Sequence, residues 1–527
     1  KWETEFPAIF ESGGFDVVIG NPPYVNLERL NETSIYLEKQ GYKTFNKRGD
    51  LYCIFVEKGF EIIKRHGIIS YIMPNKWLQA NYGKGLRELF LKNNLIQLID
   101  FGDFQIFEGA TTYPCIFIAK DEDPSELINV SVLQNAGSDD FLSNVLIAQE
   151  TFDYADLTSE TWVVSSKLEN KLLEKFSKEY VSLDAFINGN YNRGIIPGLS
   201  EAFIINAEVR NELISRDINS AKIIKPLLRG RNIKKYSKPV EDELDYIIVA
   251  EYGSYKYLEN EYPAIYDWLF KFEKKLKNRG QCKGSIITKE KPFTGQHHWL
   301  ELDNCPTKDY LNLFEEPKIM YQSFQVKPCF IYDESGYYCN NSMWFIPNPP
   351  KELLGILNSK LGWWLISKYC TQIQNGVQLI WKYFGQLPIP KINSVILAEY
   401  VDLVINQTEQ KNELTNKFQK YLQVKFYIEK ASRKLENWHE LSFGDFIKEL
   451  NKVIKTTNKI RLKEELSPVL ELTKKDEFEW MELFEENKKR AQELQTQIAT
   501  TEIEIDKMVY ELYGLTEEEI KIVENIT

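Results

Sequence analysis

The sequence predicts an α/β protein built from several domains. At 527 residues the chain is about three to four times the usual size of one domain. From Phe15 to about Lys120 the apolar residues alternate between strand-like and helix-like spacing, which predicts a mostly parallel sheet covered by helices. Mixed strands and loops follow, and after Ile392 glycine nearly disappears. We therefore expect an α/β domain over residues 1–150, an α+β domain over 151–391 and a helical region over 392–527.

Composition places the chain among globular proteins and excludes some partners. Hydrophobic residues make up 43% and charged residues 27%, which excludes a disordered or low-complexity protein. The 65 basic and 77 acidic residues give a formal charge of −12. An attraction of the whole surface to nucleic acid or to an anionic membrane is therefore excluded, and any polyanion must bind a local basic patch.

The cysteines indicate a reducing compartment, and the lengths of the apolar runs bear on whether the chain crosses a membrane. Seven cysteines are scattered without a C-x-x-C pair, which argues against a disulfide framework or a zinc ribbon and favours the cytoplasm. No stretch reaches about 18 uninterrupted apolar residues, so we expect no membrane span. The chain opens on KWETEFPAIF, with neither an initiator methionine nor a signal peptide. We therefore expect it to be a fragment without its upstream part.

Each element of the first 150 residues follows from apolar spacing. Strands are expected over residues 15–20 (a short buried strand), 67–73, 95–101 and 111–120, and helices over 50–65 and 83–93. Ligand sites in such sheets lie beyond the carboxyl ends of the strands. The loop formed by residues 21–24 is the first such loop.

The remaining two regions are predicted from the positions of glycine, proline and aromatic residues and from helical spacing of apolar residues. Residues 151–391 mix short strands with aromatic and glycine-rich loops, and the run ends in PIPK, where two prolines interrupt any regular element. An apolar stripe that ends at Leu512 has coiled-coil-like spacing and stops at Gly514. Thr516 and Glu519 then predict a capping box for a last helix.

The sharpest motif is GNPPY, residues 20–24, directly after the first strand. Two prolines stiffen the turn, so the Asn21 Oδ1 and the Pro22 carbonyl can both accept from one amino group and orient its lone pair. Pro23 completes the stiff pair, and Tyr24 offers a ring on which an extruded base can stack. This arrangement suits methylation of an exocyclic or amide nitrogen by direct displacement at an activated methyl group, with no metal.

The same motif carries a family resemblance. FESGGFDVVIGNPPYV resembles the catalytic motif of the amino-type DNA N6-adenine methyltransferases of the γ (TaqI-like) order, in particular the large type IIG restriction-modification proteins. GDLYCIFVEKGFEIIK, GIISYIMPNKWLQANYGKGLRELF and FQIFEGATTYPCIFIAK resemble the blocks that follow. The resemblance implies a partial Rossmann-like methyltransferase domain with Asn21, Pro22, Pro23 and Tyr24 as catalytic residues. It also implies base flipping, with Tyr113 or Phe107 as a candidate second aromatic against the flipped base; a core aromatic is the alternative for either residue.

The resemblance also implies a cofactor, S-adenosylmethionine. In this family a glycine-rich loop upstream of the catalytic motif holds it, and this sequence contains no such loop after a strand and before a helix. We therefore expect the chain alone to bind the cofactor poorly and not to methylate. An upstream region or another subunit would supply the cofactor half.

A second informative segment is SAKIIKPLLRGRNIKKYSK. It contains seven basic and no acidic residues between positions 222 and 238, namely Lys222, Lys225, Arg229, Arg231, Lys234, Lys235 and Lys238. Phosphate contacts from such a patch supply affinity, and arginine can also read guanine. The alternative is an ordinary solvated turn. RGIIPGLSEAFII, IIKPLLRGRNIKKY and GQLPIPKI resemble the target-recognition domain of the same enzymes, which implies double-stranded DNA as the partner.

Other interpretations stay open at this point. The chain could be a non-catalytic DNA-binding specificity module that keeps GNPPY as scaffold. A protein-glutamine methyltransferase also uses an N-P-P-Y loop, but it gives no reason for a large domain with a basic segment. His297 and His298 could bind a metal, but adjacent residues of an extended segment point to opposite faces, so we expect no metal site.

Overall fold

The computed structural model describes residues 2–102, 106–107, 113–133, 141–160, 162, 167–237, 239, 244–283, 293–373, 376–392 and 394–524. The chain divides into two compact units, residues 1–175 and residues 176–525. Each unit has its own hydrophobic core. The boundaries after residues 150 and 391 stay predictions.

The first unit is a sheet with helices. Its strands are β1 (Phe15–Gly20), β2 (Ile63–Pro74), β3 (Asn94–Asp100), β4 (Pro114–Lys120), β5 (Leu127–Val132) and β6 (Gln149–Asp153). Its helices are α1 (Trp2–Glu5), α2 (Pro7–Glu11), α3 (Asn31–Lys39), α4 (Leu51–Ile62), α5 (Lys84–Phe90) and α6 (Phe141–Ile147), and α7 (Lys167–Glu179) spans the change of unit. Apolar residues such as Tyr52 and Val56 of α4, Phe90 of α5 and Phe117 of β4 form the core.

The strand order in this sheet is β1-β2-β4-β3-β5-β6. β1 is parallel to β2 and β3 is parallel to β5, whereas β4 runs antiparallel to both β2 and β3, and β6 runs antiparallel to β5. The expectation of a mostly parallel sheet was therefore wrong, and the sheet is mixed. A parallel neighbour needs a long crossover, usually a helix. The pattern offers no helix between β3 and β4, and β4 returns in the opposite direction between β2 and β3.

The expectation that β1 is buried was also wrong. β1 is the terminal strand of this sheet. Val17 is 53% exposed and Ile19 is 75% exposed, so one face of the strand is open among the described residues. An apolar run predicts a strand, but burial depends on which elements cover it.

The second unit combines small sheets with helices. Its strands are β7 (Val181–Ser182), β8 (Asn192–Arg193), β9 (Ile204–Ile205), β10 (Ile224–Leu228), β11 (Asp245–Ile248), β12 (Lys318–Gln322), β13 (Phe324–Gln325), β14 (Phe330–Asp333), β15 (Tyr338–Cys339), β16 (Met343–Pro347), β17 (Thr371–Ile373), β18 (Gly376–Gln378) and β19 (Pro388–Ile389). They form sheets of order β15-β10-β11-β9, β14-β12-β16-β8, β13-β18-β17 and β19-β7. This part is α+β, as the sequence predicts.

The helices of the second unit divide at residue 394 into two sets. Before it lie α8 (Leu183–Phe186), α9 (Ser200–Phe203), α10 (Ala207–Arg216), α11 (Leu258–Glu261), α12 (Pro263–Phe270), α13 (Glu273–Lys277), α14 (Lys308–Asn312), α15 (Lys351–Asn358), α16 (Lys360–Tyr369) and α17 (Trp381–Phe384). After residue 394 come α18 (Val395–Phe426), α19 (Arg433–Glu436), α20 (Phe443–Lys463), α21 (Lys474–Leu512) and α22 (Glu517–Glu524). The helical C-terminal region is therefore confirmed.

The predicted end of the long helix is confirmed in detail. α21 ends at Leu512, and Gly514 adopts a left-handed conformation with φ of 57°. The Thr516 backbone N–H donates to Glu519 Oε2 at 2.8 Å, and the Glu519 N–H donates to Thr516 Oγ1 at 3.3 Å. This reciprocal pair is the capping box expected from the sequence. Within the described part of the chain, no helix is long and apolar enough to cross a membrane.

Candidate functional site

The GNPPY segment follows the carboxyl end of β1. Gly20 pairs with Tyr71 of β2, and residues 21–25 leave the sheet as an irregular turn. Asn21 and Pro23 are exposed and Pro22 is buried. Within the described residues, no donor reaches the Asn21 side chain or the Pro22 carbonyl. The turn therefore presents two hydrogen-bond acceptors without internal partners at the end of a strand.

Tyr24 is anchored at one end. Its hydroxyl donates to the Ile72 carbonyl of β2 at 3.1 Å, and burial raises the pKa of Tyr24 to about 12. The ring of Phe107 lies 6.3 Å from the Tyr24 ring, centroid to centroid, at 66°. Phe107 is thus beside Tyr24. The Tyr113 carbonyl accepts from the Asn75 N–H at 2.8 Å.

The exit of the turn is clamped to the segment before α4. The Leu27 N–H donates to the Gly49 carbonyl and the Leu51 N–H donates to the Val25 carbonyl, both at 2.9 Å. Asn26 and Asp50 form the bridge between these bonds. The turn is therefore fixed on both sides, by β2 before it and by residues 49–51 after it. Fixed acceptors need little reorganisation when a substrate binds.

Two polar residues near this edge were missed by the sequence interpretation. Asn75 follows β2, and its Nδ2 donates to Oδ1 of Asp100, the last residue of β3, at 2.9 Å. Asp100 is buried, at 7% exposure, and also accepts from the Gly102 N–H at 3.0 Å. Both residues end strands that run parallel to β1. The signal that could have found them is the rule that led to Asn21, since the carboxyl ends of such strands share one edge.

The basic segment of the second unit carries more counter-charge than its sequence indicates. The chain places Lys225 3.0 Å from Glu315 and Lys235 2.8 Å from Glu502. Asp245 of β11 lies 2.5 Å from Arg229 Nε and 3.4 Å from an Nη of Arg231. Four of the seven predicted DNA-binding residues thus have acidic partners that are distant in sequence.

Two members of the segment keep their charge uncompensated. Lys222 and Lys234 are exposed, and neither has an ion-pair partner within the described residues. Lys238 lies outside the described residues. Of the six described cations of the segment, four therefore have acidic partners and two, Lys222 and Lys234, have none.

His297 and His298 have separate surroundings. His297 is fully buried, and its Nε2 lies 3.0 Å from Asp303, which also pairs with the buried Arg279 at 2.8 Å. Burial alone would lower the pKa of His297, but hydrogen bonds to Asp303, Cys282 and a backbone carbonyl raise it to about 9. Burial lowers the pKa of His298 to about 4. Within the described ranges no three His, Cys, Asp or Glu side chains are grouped to hold a metal ion.

The first unit is an α/β sheet, the second begins as an α+β region and ends in long helices, and family models match parts of both units. Residues 1–107 match the family model described as Eco57I restriction-modification methylase, and residues 225–389 match the TaqI-like C-terminal specificity domain. Residues 390–509 match a domain of unknown function. The chain therefore carries an Eco57I-type restriction-modification methylase region and a TaqI-like specificity domain, and the resemblance to restriction-modification methylases is confirmed.

Two relatives by sequence are methyltransferases by name. The type II restriction enzyme and methyltransferase RM.Eco57I of Escherichia coli is 30% identical over 38% of this chain and 20% of its own length. The type II methyltransferase M.BstVI of Geobacillus stearothermophilus is 21% identical over 63% of this chain and 59% of its own. The solved type IIG restriction endonuclease BpuSI aligns with a TM-score of 0.38 and 15% identity, over 75% of this chain and 49% of its own. The chain thus spans only part of these proteins.

Proposed function

We propose that this chain is the methylase and DNA-specificity part of a site-specific DNA adenine-N6 methyltransferase of a type IIG restriction-modification system. The observation that carries the proposal is the pair of acceptors at Asn21 and Pro22, which have no donor among the described residues and stand beside the ring of Tyr24. The family matches at residues 1–107 and 225–389 support it.

The chemistry of the turn follows from its acceptors. The target adenine leaves the duplex and stacks on Tyr24. Its amino group donates to Asn21 Oδ1 and to the Pro22 carbonyl, which turns the nitrogen lone pair toward the incoming methyl group. When bound, S-adenosylmethionine supplies that activated methyl group. The proton then leaves the amino nitrogen for solvent. Tyr24 acts through its ring, because its hydroxyl is occupied by Ile72 and its pKa of about 12 keeps it neutral.

The residues of this chain suit binding of the base that receives the methyl group better than binding of the cofactor. The two free acceptors suit an amino donor, and the sequence has no glycine-rich loop between a strand and a helix that would cradle the cofactor. We therefore expect the isolated chain to bind S-adenosylmethionine weakly and not to methylate. Calorimetric titration of the chain with the cofactor tests this, and micromolar binding would contradict it.

The decisive experiment is single-molecule sequencing for N6-methyladenine on plasmid DNA. The plasmid is recovered from cells that express the complete gene. Cells that express the same gene with Asn21→Ala serve as the control. Methylated adenine in one recurring short context, absent in the control, supports the proposal. N4-methylcytosine in its place would contradict the choice of adenine. Unmodified DNA, with the cofactor shown to bind, would favour a non-catalytic specificity module, and methylated release-factor peptides would favour a protein-glutamine methyltransferase.

A further inference from the structure

One face of α20 (Phe443–Lys463) is fixed by the core of the helical region. The Phe446 ring lies 6.0 Å from the Phe418 ring of α18 and 4.6 Å from the Phe484 ring of α21, centroid to centroid. Leu450 and Ile454 are fully buried in the same core. Because an α-helix has about 3.6 residues per turn, these residues define the inner side of α20 and leave the opposite side for solvent.

The opposite side of α20 carries a row of lysines. They recur every three or four residues, so they lie within a sector of about 80° around the helix axis. All are exposed, and the exposed fraction of the side chain is 81% for Lys448, 74% for Lys452 and 63% for Lys455. The lysine stripe is defined as Lys448, Lys452, Lys455, Lys459 and Lys463. It is about 22 Å long, at a rise of about 1.5 Å per residue.

Positive charge is concentrated on this helix. α20 carries six basic and two acidic residues, whereas the neighbouring α21 carries six basic and eleven acidic residues. Both acids of α20, Asp445 and Glu449, lie in its first two turns, so residues 450–463 contain five basic residues and no acidic one. Alternating signs are typical of a solvated helix face, and the stripe lacks them.

The chain itself compensates the stripe only weakly. Three of its lysines have acidic neighbours at 3.3 to 3.6 Å, namely Asp445 for Lys448, Glu449 for Lys452 and Glu471 for Lys455. Exposed ion pairs of this kind stabilise a fold only slightly. Lys459 and Lys463 have no ion-pair partner among the described residues. Since like charges three or four residues apart destabilise a helix, a bound polyanion would relieve a repulsion that the chain leaves in place.

The helices that support the stripe also support the basic segment. The Asn412 side chain of α18 donates to Ser237 Oγ at 2.7 Å, and Lys235 lies 2.8 Å from Glu502 of α21. Phe418, which packs against α20, follows Asn412 by about 9 Å along α18. The stripe and the basic segment are therefore attached to neighbouring parts of one helix pair.

We propose that the lysine stripe binds the sugar-phosphate backbone of duplex DNA. The inference rests on the proposed function, which supplies the duplex. Duplex DNA carries one negative charge per about 1.7 Å of its axis, so a row of cations about 22 Å long meets phosphates along its whole length. Lysine is a point charge that supplies affinity without reading bases. The helical region thus adds non-specific affinity to the specificity domain at residues 225–389.

The experiment measures binding of the full chain to a fluorescent duplex over a series of salt concentrations. The stripe variant combines Lys455→Gln, Lys459→Gln and Lys463→Gln. The matched control removes the same charge from three exposed lysines of α21 and α22, with Lys489→Gln, Lys507→Gln and Lys521→Gln. In the stripe variant the slope of log affinity against log salt should flatten by about 0.9 for each lost phosphate contact, about 2.7 in total. The control should keep the wild-type slope.

The outcomes separate this inference from the proposed function. If the wild-type chain binds the duplex and the stripe variant keeps its slope, the inference is overturned and the proposed function stands. Equal flattening in the control also overturns it, because net charge alone would then explain the effect. If the wild-type chain binds no duplex DNA, the proposed function is overturned together with the inference. A melting temperature at or above the wild-type value shows that the stripe variant is folded, so that a flatter slope reflects lost phosphate contacts.

Discussion

The GNPPY turn and the basic segment are both short sequence motifs, but the fold supplies ion-pair partners only to the basic segment. The turn leaves its acceptor open, because Asn21 is exposed and its amide has no partner within the described residues. The basic segment does not keep its full positive charge, because Asp245, Glu315 and Glu502 form ion pairs with four of its seven cations.

The difference follows from the range of the forces involved. Two prolines restrict the backbone within a few residues, so the geometry of the turn is a local property. The net charge of a surface depends on every residue that the fold brings within about 10 Å, the screening distance at 0.1 M salt. A motif with a restricted backbone therefore predicts its local structure more reliably than a run of charged residues predicts a charged surface.

The largest expected effect concerns the turn. Asn21→Ala removes one of the two acceptors for the amino group. In cells that express the complete gene, where methylation is expected, methyl transfer should fall by about 10²- to 10³-fold, as when one preorganised polar group is removed from an active site. DNA affinity should hardly change. Asn81→Ala, another exposed asparagine of the first unit, is the matched control. Turnover of Asn21→Ala near the wild-type rate would refute the role of the turn.

The next effect tests a buried set of partners. The pKa of His297 is raised from 6.5 to about 9 in the folded chain, so its interaction with Asp303 stabilises the fold fully below about pH 6.5 and is lost as pH rises through 9. The difference corresponds to roughly 3 kcal/mol. Unfolding by urea between pH 6 and 10 measures it, with His297→Gln for comparison. Parallel pH profiles for the two proteins would show that His297 is neutral in the fold.

Tyr24 allows the structural and the binding role of one residue to be separated. Tyr24→Phe removes the bond to Ile72 and should cost about 1 kcal/mol of stability while it keeps the ring. Tyr24→Ala should also weaken capture of the flipped base by about 1 to 3 kcal/mol. Fluorescence of 2-aminopurine at the target position measures the capture. An equal response from both variants would argue against stacking.

The smallest effect concerns the basic segment. Asp245→Asn releases Arg229 and Arg231, so the slope of log affinity against log salt should steepen by about 0.9 for each new phosphate contact. Lys222→Ala should flatten it by about the same amount. Replacing both arginines with glutamate should flatten it further. Slopes that do not respond to any of these changes would make the segment an ordinary solvated turn.

The fold was predictable where the pattern is local. Apolar spacing identified β1 and the end of α21, and the Thr516 cap was predicted to the residue. The direction of β4 was not, because strand pairing joins residues far apart in sequence and no local feature fixes it. Of the candidate site, the sequence singles out the turn. Asn75 and Asp100 also stand at strand ends, but neither lies in a distinctive motif, and their 2.9 Å contact joins residues 25 positions apart that only the fold brings together.

The sequence by itself determined the α/β, α+β and helical order of the chain, the GNPPY turn and the kinship with restriction-modification methylases. These depend on residue spacing and on backbone restriction within a few positions. Only the tertiary structure decided the mixed sheet, the exposure of Ile19 and the ion pairs of Arg229 and Arg231 with Asp245. Strand pairing, burial and charge compensation depend on residues that are far apart in sequence, and only the fold brings these residues together.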